Sequence, residues 1–91
     1  MAEPARWRIS IGRAAKRTFR RLPKPLLTRL LAEIDTLSTN PRPSGSLKLA
    51  GFDDLWRIRS GDWRIVYAIQ DEQLLIVVVE VEPRGSAYRH L

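Results

Sequence analysis

The chain has 91 residues, of which 44% are hydrophobic and 29% charged, a balance typical of a folded domain and not of a disordered segment. It contains no cysteine and one histidine, so we expect no disulfide framework, no thiolate or dedicated zinc or iron site, and no cofactor. The formal charge of +6 favours nucleic acid or an acidic protein as partner, although a merely solubilising surface would give the same total.

We expect one domain over residues 1–91, because the chain shows no internal repeat, low-complexity tract or linker. The longest apolar run, residues 74–79, is too short to cross a bilayer. No apolar stretch follows the N-terminal Met-Ala-Glu-Pro, so a secretory signal is not expected. These features predict a cytoplasmic protein without a membrane partner.

The first half of the chain predicts a strand and two helices. Residues 6–11 alternate polar and apolar side chains, which is the period of a half-buried strand. Residues 13–22 follow as a short helix rich in Lys and Arg. Pro23 and Pro25 break this helix and begin a second one, which the apolar spacing extends over residues 25–37.

The second half predicts a meander of three strands. A loop at residues 40–45 precedes strands at residues 55–60, 63–70 and 74–81, joined by tight turns. The third strand is apolar at nearly every position, which predicts a central place in the sheet. The fold class is therefore α+β, in the order β-α-α-β-β-β, with a helical hairpin packed on an antiparallel sheet.

The large apolar side chains are interpreted as core and not as ligand platforms, because they fall at positions in phase with these elements. They are Trp7, Phe19, Trp56, Trp63, Tyr67 and the stripe Leu26, Leu27, Leu30, Leu31, Ile34 and Leu37.

Three segments together resemble the RelE/ParE toxin superfamily. Residues 47–51 read Leu-Lys-Leu-Ala-Gly, and residues 55–67 read Leu-Trp-Arg-Ile-Arg-Ser-Gly-Asp-Trp-Arg-Ile-Val-Tyr. Residues 83–89 end the pattern with an Arg and a Tyr four residues apart. The resemblance covers nearly the whole chain, and it implies the same β-α-α-β-β-β fold.

The resemblance, which favours the RelE-like branch, implies the toxin of a type II toxin–antitoxin pair. It implies a metal-independent endoribonuclease that cleaves mRNA on the ribosome, inhibits translation and arrests growth, and an acidic antitoxin as partner. The resemblance maps the basic catalytic positions and the terminal aromatic onto Arg57, Arg59, Arg64, Arg84 and Tyr88.

Strand alternation by itself places Arg57 and Arg59 on one face, whereas the face of Arg64 depends on the register of the turn. Arginines at alternating positions also occur on ordinary surface strands. There they would pair with acidic side chains such as Asp53, Asp54, Asp62 or Glu80.

The general base is not assigned by the sequence. Ribosome-dependent relatives carry Lys at the positions of Arg57 and Arg59, and arginine effectively cannot lose its proton. These two residues are therefore interpreted as electrostatic stabilisers. The candidates for the base are His90, Tyr88 and Glu82. Some relatives are thought to use a histidine near the C-terminus, as His90 would be. A terminal histidine without a role is the alternative for His90.

Basic residues are concentrated in the first third of the chain, where residues 1–30 hold nine Lys or Arg and one acid. We predict that this region attaches to ribosomal RNA or to the acidic antitoxin, with a solvated helix face as the alternative. The predicted RNA- or ribosome-binding residues are Arg13, Lys16, Arg17, Arg20, Arg21 and Lys48.

Two other functions fit the same fold. The first is that of a ParE-like toxin that poisons DNA gyrase, although that branch generally lacks the full basic cluster and the terminal aromatic. The second is an inactive toxin homologue that binds RNA or the ribosome and leaves RNA intact.

Overall fold

A computed structural model describes residues 6–83 of the chain. Its elements are strands β1 (Arg8–Ile11), β2 (Leu47–Lys48), β3 (Leu55–Ser60), β4 (Trp63–Gln70) and β5 (Leu75–Pro83), and helices α1 (Arg13–Phe19) and α2 (Lys24–Thr36). The predicted α+β class and the helical hairpin on a sheet are confirmed, whereas the two-residue strand β2 and the short 3-10 helix Asp71–Gln73 were not predicted.

The five strands form one sheet in the order β1-β5-β4-β3-β2. Strands β2 to β5 pair antiparallel, but β1 runs parallel to β5, so the sheet is mixed and not antiparallel throughout as expected. A parallel pair needs a long crossover, which the two helices and the meander provide. The apolar strand β5 lies between β1 and β4, so it is interior, but the central position predicted for it belongs to β4.

Both helices pack on the same face of the sheet. The buried helix residues Ala15, Leu30 and Ile34, with Leu37 just beyond α2, meet alternate residues of the strands. The strand members of this core are Ile58, Ile65, Tyr67, Ile69, Ile76, Val78 and Val81. Trp7, Phe19, Trp56 and Trp63 pack around it half-buried, as expected, whereas Leu31 of the predicted stripe is 42% exposed.

Helix α1 ends earlier than predicted because the chain approaches Pro23. The helix ends at Phe19, three residues before the predicted end, and Arg20 is its C-cap. Pro23 is the N-cap of α2, and Pro25 lies inside its first turn. No helix within residues 6–83 is long and apolar enough to span a membrane.

The turn from β1 into α1 requires a glycine for space. The N–H of Gly12 donates to the Val78 carbonyl at 2.7 Å, and a Cβ at residue 12 would lie 2.8 Å from that same oxygen. This close approach brings the start of α1 against β5.

The β3–β4 hairpin is closed by a two-residue turn that α2 contacts. Gly61 has a φ of +59°, a conformation that glycine adopts at no steric cost. The Arg29 guanidinium of α2 donates to the Ser60 carbonyl at 3.3 Å and would lie 2.9 Å from a Cβ at Gly61. The helix thereby fixes the end of the hairpin.

Tyr67 and Arg42 anchor the loop after α2 to the sheet. The Tyr67 hydroxyl donates to the Pro41 carbonyl at 2.7 Å, and burial raises the pKa of Tyr67 to about 12. Arg42 lies over the Trp56 ring, 5.3 Å from its centroid, and forms an exposed ion pair with Asp71 at 2.8 Å. That hydrogen-bonded partner lowers the pKa of the Asp71 carboxyl.

The wild type is expected to lose stability at alkaline pH, and Tyr67→Phe is expected to abolish this loss. In the unfolded chain the phenol ionises near pH 10, whereas in the folded protein it stays protonated to about pH 12. The stability of the wild type therefore falls between these values, by on the order of 2 kcal/mol, because the unfolded state releases its proton first. Urea denaturation from pH 8 to 12 measures the difference, and parallel profiles for both proteins would contradict the assignment.

Candidate nucleic-acid interface

The face of the sheet opposite the helices carries three arginines. Because Ile58 and Ile65 point into the helix-covered core, their neighbours Arg57, Arg59 and Arg64 project to the other side. We call this side the arginine face. The face of Arg64, which the sequence left open, is thus the same as that of Arg57 and Arg59.

The hairpin register places two of these arginines directly opposite each other. Arg59 pairs with Arg64, and Arg57 pairs with Val66 one row further along. Side chains opposite each other on adjacent strands start about 5 Å apart, and like charges in such a pair destabilise the sheet. An anion that binds both guanidiniums would offset this repulsion.

Arg57 and Arg59 are not neutralised by the aspartates that the sequence suggested as partners. Arg59 is exposed and Arg57 half-buried, and neither forms an ion pair with any carboxylate of residues 6–83. The ion pair in this part of the chain is that of Arg42 with Asp71, on the loop beyond β4. Arg57 and Arg59 are therefore available to a ligand from outside.

Two glutamates extend the arginine face onto β5. Glu82 pairs with Arg64, so the row across the sheet reads Arg59, Arg64, Glu82. In the next row Glu80 pairs with Val66. Glu82 is 8% exposed, and one oxygen of the half-buried Glu80 carboxylate is buried with no hydrogen-bond partner among the described residues.

A β-bulge explains why these glutamates lie on the arginine face. Val78 and Val81 both belong to the core although they are three residues apart, which simple alternation forbids. The register of β5 shifts opposite Val66 and Tyr67, and this extra residue reverses the phase of the strand. Without it, Glu80 and Glu82 would share the side of Val78.

Helix α1 forms a second basic surface. Arg13, Lys16, Arg17 and Arg20 surround a shallow cavity of about 450 Å³ on its outer side. Arg21 lies apart from them, in a groove of about 600 Å³ between α1 and the end of β5, which Arg17, Glu80 and Glu82 also line. Five of the six predicted RNA- or ribosome-binding residues therefore lie on or just beyond one helix.

Lys48 lies on the opposite side of the sheet from the arginine face. It pairs with Trp56, whose ring packs against the core, whereas its neighbour Leu47 pairs with Arg57.

The predicted site residues Arg84, Tyr88 and His90 lie outside the described residues. Arg29, which supports the hairpin from 31 positions away, has no signal in the sequence that would have identified it.

Within residues 6–83 no three His, Cys, Asp or Glu side chains are grouped so that they could hold a metal ion. The chemistry of the interface, as far as it is described, is that of guanidinium groups and two carboxylates.

Comparison with known proteins connects this arrangement to a family. Residues 9–88 match the family model described as the ParE toxin of the type II toxin–antitoxin system parDE. The chain belongs to the RelE/ParE superfamily of toxins. This confirms the resemblance seen in the sequence.

Relatives named RelE are similar along their whole length. The toxin is 27% identical to the toxin RelE of Mycobacterium tuberculosis, over 98% of this chain and 93% of that protein. It is 31% identical to a chain of the archaeal RelE–RelB complex from Pyrococcus horikoshii, with a TM-score of 0.77, covering 89% of this chain and 98% of that one. A chain of the toxin–antitoxin complex RelBE2 from Mycobacterium tuberculosis has the same fold, with a TM-score of 0.79 at 22% identity, covering 93% of this chain and 99% of that one.

Arg59→Gln is expected to stabilise the toxin, because it removes one member of the directly opposed Arg59–Arg64 pair. The expected gain in the free energy of unfolding is about 0.2–1 kcal/mol, and it should shrink in high salt, which screens the repulsion. Urea denaturation at low and high salt measures it.

Arg8→Gln is the matched control, since Arg8 is an exposed arginine of β1 that pairs with Leu75 and not with a cation. Equal effects of Arg8→Gln and Arg59→Gln would mean that net charge, and not the opposed pair, sets the stability.

Proposed function

We propose that the toxin is a ribosome-dependent endoribonuclease that cleaves mRNA and inhibits translation. The observation that carries this proposal is the grouping of Arg57, Arg59 and Arg64 on one face, with Arg59 and Arg64 directly opposite each other. Guanidinium groups bind phosphate oxygens in paired hydrogen bonds, so a phosphodiester is the ligand that this arrangement fits best.

In the proposed reaction the ribose 2′-OH attacks its own 3′ phosphate. The bond to the 5′ oxygen of the next nucleotide breaks, leaving a 2′,3′-cyclic phosphate and a free 5′-OH. Negative charge grows on the phosphate oxygens during this step, and fixed cations stabilise it. Arg57, Arg59 and Arg64 supply that charge, and none of them serves as a base because arginine stays protonated.

We assign the remaining roles from the family resemblance. Arg84 adds a further cation to the phosphate, and Tyr88 stacks on a base of the splayed RNA. His90 is a candidate for proton transfer near neutral pH. The basic residues of α1, together with Arg21 and Lys48, attach the toxin to ribosomal RNA.

A cognate antitoxin is the second proposed partner. Structural relatives were crystallised as complexes of RelE with RelB, from Pyrococcus horikoshii among others. The charge of +6 on this chain favours an acidic antitoxin, which would neutralise its basic surfaces. Since the proposed target and the proposed partner are cytoplasmic, we propose the same compartment for the toxin.

Arg59→Ala and Arg64→Ala are expected to lower the rate of mRNA cleavage by about 10²-fold or more each, since each removes a cation from the transition state. Primer extension on a reporter mRNA in a reconstituted translation reaction measures the cleavage. Lys24→Ala is the control, because Lys24 is an exposed cation of α2 on the other side of the sheet.

Codon-phased ends seen only with ribosomes, and lost in the two arginine variants, are the expected result. Cuts on naked mRNA as well would remove the ribosome from the mechanism. Intact mRNA in both reactions would overturn the proposal. Inhibition of DNA gyrase, the second candidate that membership of the ParE family favours, would then be tested by a supercoiling assay.

The α1 surface is expected to set the salt dependence of ribosome binding. Replacing Arg13, Lys16 and Arg20 by Gln should reduce the slope of log K against log salt by about 2, at about 0.7 for each lost phosphate contact. Co-sedimentation with ribosomes over a salt series measures the slope. Lys24→Gln should leave it unchanged, and an unchanged slope in the triple variant would remove α1 from the interface.

A further inference from the structure

The proposed cleavage needs a base, and the arginine face offers few groups that can accept a proton. Arg57, Arg59 and Arg64 cannot. Glu80 and Glu82 of β5 project carboxylates onto this face. We propose that Glu82 is the general base that takes the proton from the attacking 2′-OH, an inference that rests on the proposed nuclease function.

Glu82 is the carboxylate in register with the opposed arginines. It pairs with Arg64, which pairs with Arg59, so the three residues form one row across β5, β4 and β3. A phosphate held by the two arginines therefore has Glu82 beside it, about 5 Å along the row from the start of the Arg64 side chain. The attacking 2′ oxygen belongs to the ribose that carries this phosphate on its 3′ oxygen. A phosphate held by the two arginines therefore brings the 2′-OH close to the Glu82 carboxylate.

Glu80 is placed less well for the same task. It lies in the neighbouring row, where its partner Val66 is fully buried and carries no charge. The nearest arginine in that row is Arg57, on the far side of Val66. Glu80 therefore provides a matched control, on the same strand and the same face.

The surroundings of Glu82 differ from those of a solvated surface charge. Only 8% of the residue is exposed. Among the described residues, Arg64 of β4 lies beside it in register, and Arg17, Arg21 and Glu80 line the same groove. The bulge that turns Glu82 onto the arginine face is the kind of irregularity that re-aims side chains beside active sites.

In the proposed step Glu82 accepts the proton of the 2′-OH as the oxygen forms its bond to phosphorus. The bond between phosphorus and the 5′ oxygen breaks, and that oxygen takes a proton from water. Glu82 then returns its proton to solvent. The step needs no oxidant, reductant or further reactant.

Single-turnover cleavage on programmed ribosomes, measured against pH, tests the assignment. Glu82→Gln is expected to lower the rate by about 10² to 10⁴-fold and to abolish its rise with pH on the acidic side, while ribosome binding is unchanged. Glu80→Gln should keep that rise. A Glu82→Gln profile that still follows the wild type, or loss of the rise in Glu80→Gln instead, would overturn the proposal.

Chemical rescue separates a base from a residue that only supports the fold. Added formate is expected to restore cleavage by Glu82→Ala in a saturable manner, because a free carboxylate can occupy the vacated position. A folded Glu82→Ala variant that formate fails to rescue would overturn the role of Glu82 and leave the nuclease function intact. Absence of cleavage by the wild type would overturn both proposals.

Discussion

The register of the β3–β4 hairpin is the constraint on which the rest of the interface depends. A two-residue turn, with Gly61 in a left-handed conformation, sets Arg59 opposite Arg64. Because side chains alternate across a sheet, a slip of one residue in either strand would move its arginines toward the core and its apolar residues toward solvent. Burial of Ile58 and Ile65 makes that slip costly, so the hydrophobic core enforces the position of the charges.

Contacts from outside the sheet reinforce the same register. Arg29 of α2 hydrogen-bonds to the Ser60 carbonyl at the turn, and Tyr67 holds the loop after α2 through the Pro41 carbonyl. Each hydrogen bond contributes only about 1 kcal/mol to stability. Their importance lies in position, since they fix both ends of the hairpin that carries the arginines. The protein can thereby keep an opposed pair of like charges that would otherwise weaken the sheet.

The bulge in β5 has the corresponding effect on the acidic side of the interface. It keeps Val78 and Val81 in the core and turns Glu80 and Glu82 to the face that carries the arginines. In the proposed mechanism the two charges then have separate tasks, with arginines holding the phosphate and a glutamate accepting the proton. This division fits the presence of arginine at positions 57 and 59 of β3. An arginine binds phosphate well and cannot act as the base, so another residue must do so.

The sequence by itself determined the two helices, four of the five strands, the α+β class and the family, because periodicity, prolines and short motifs are local signals. It also determined that Arg57 and Arg59 share a face, since both belong to one strand. Only the tertiary structure decided that Arg64 joins them, that β1 runs parallel to β5, that Lys48 lies on the other side of the sheet and that Glu82 lies beside Arg64. These features depend on the phase between separate strands. Turn geometry, a bulge and long-range packing set that phase, and no pattern within a single strand records it.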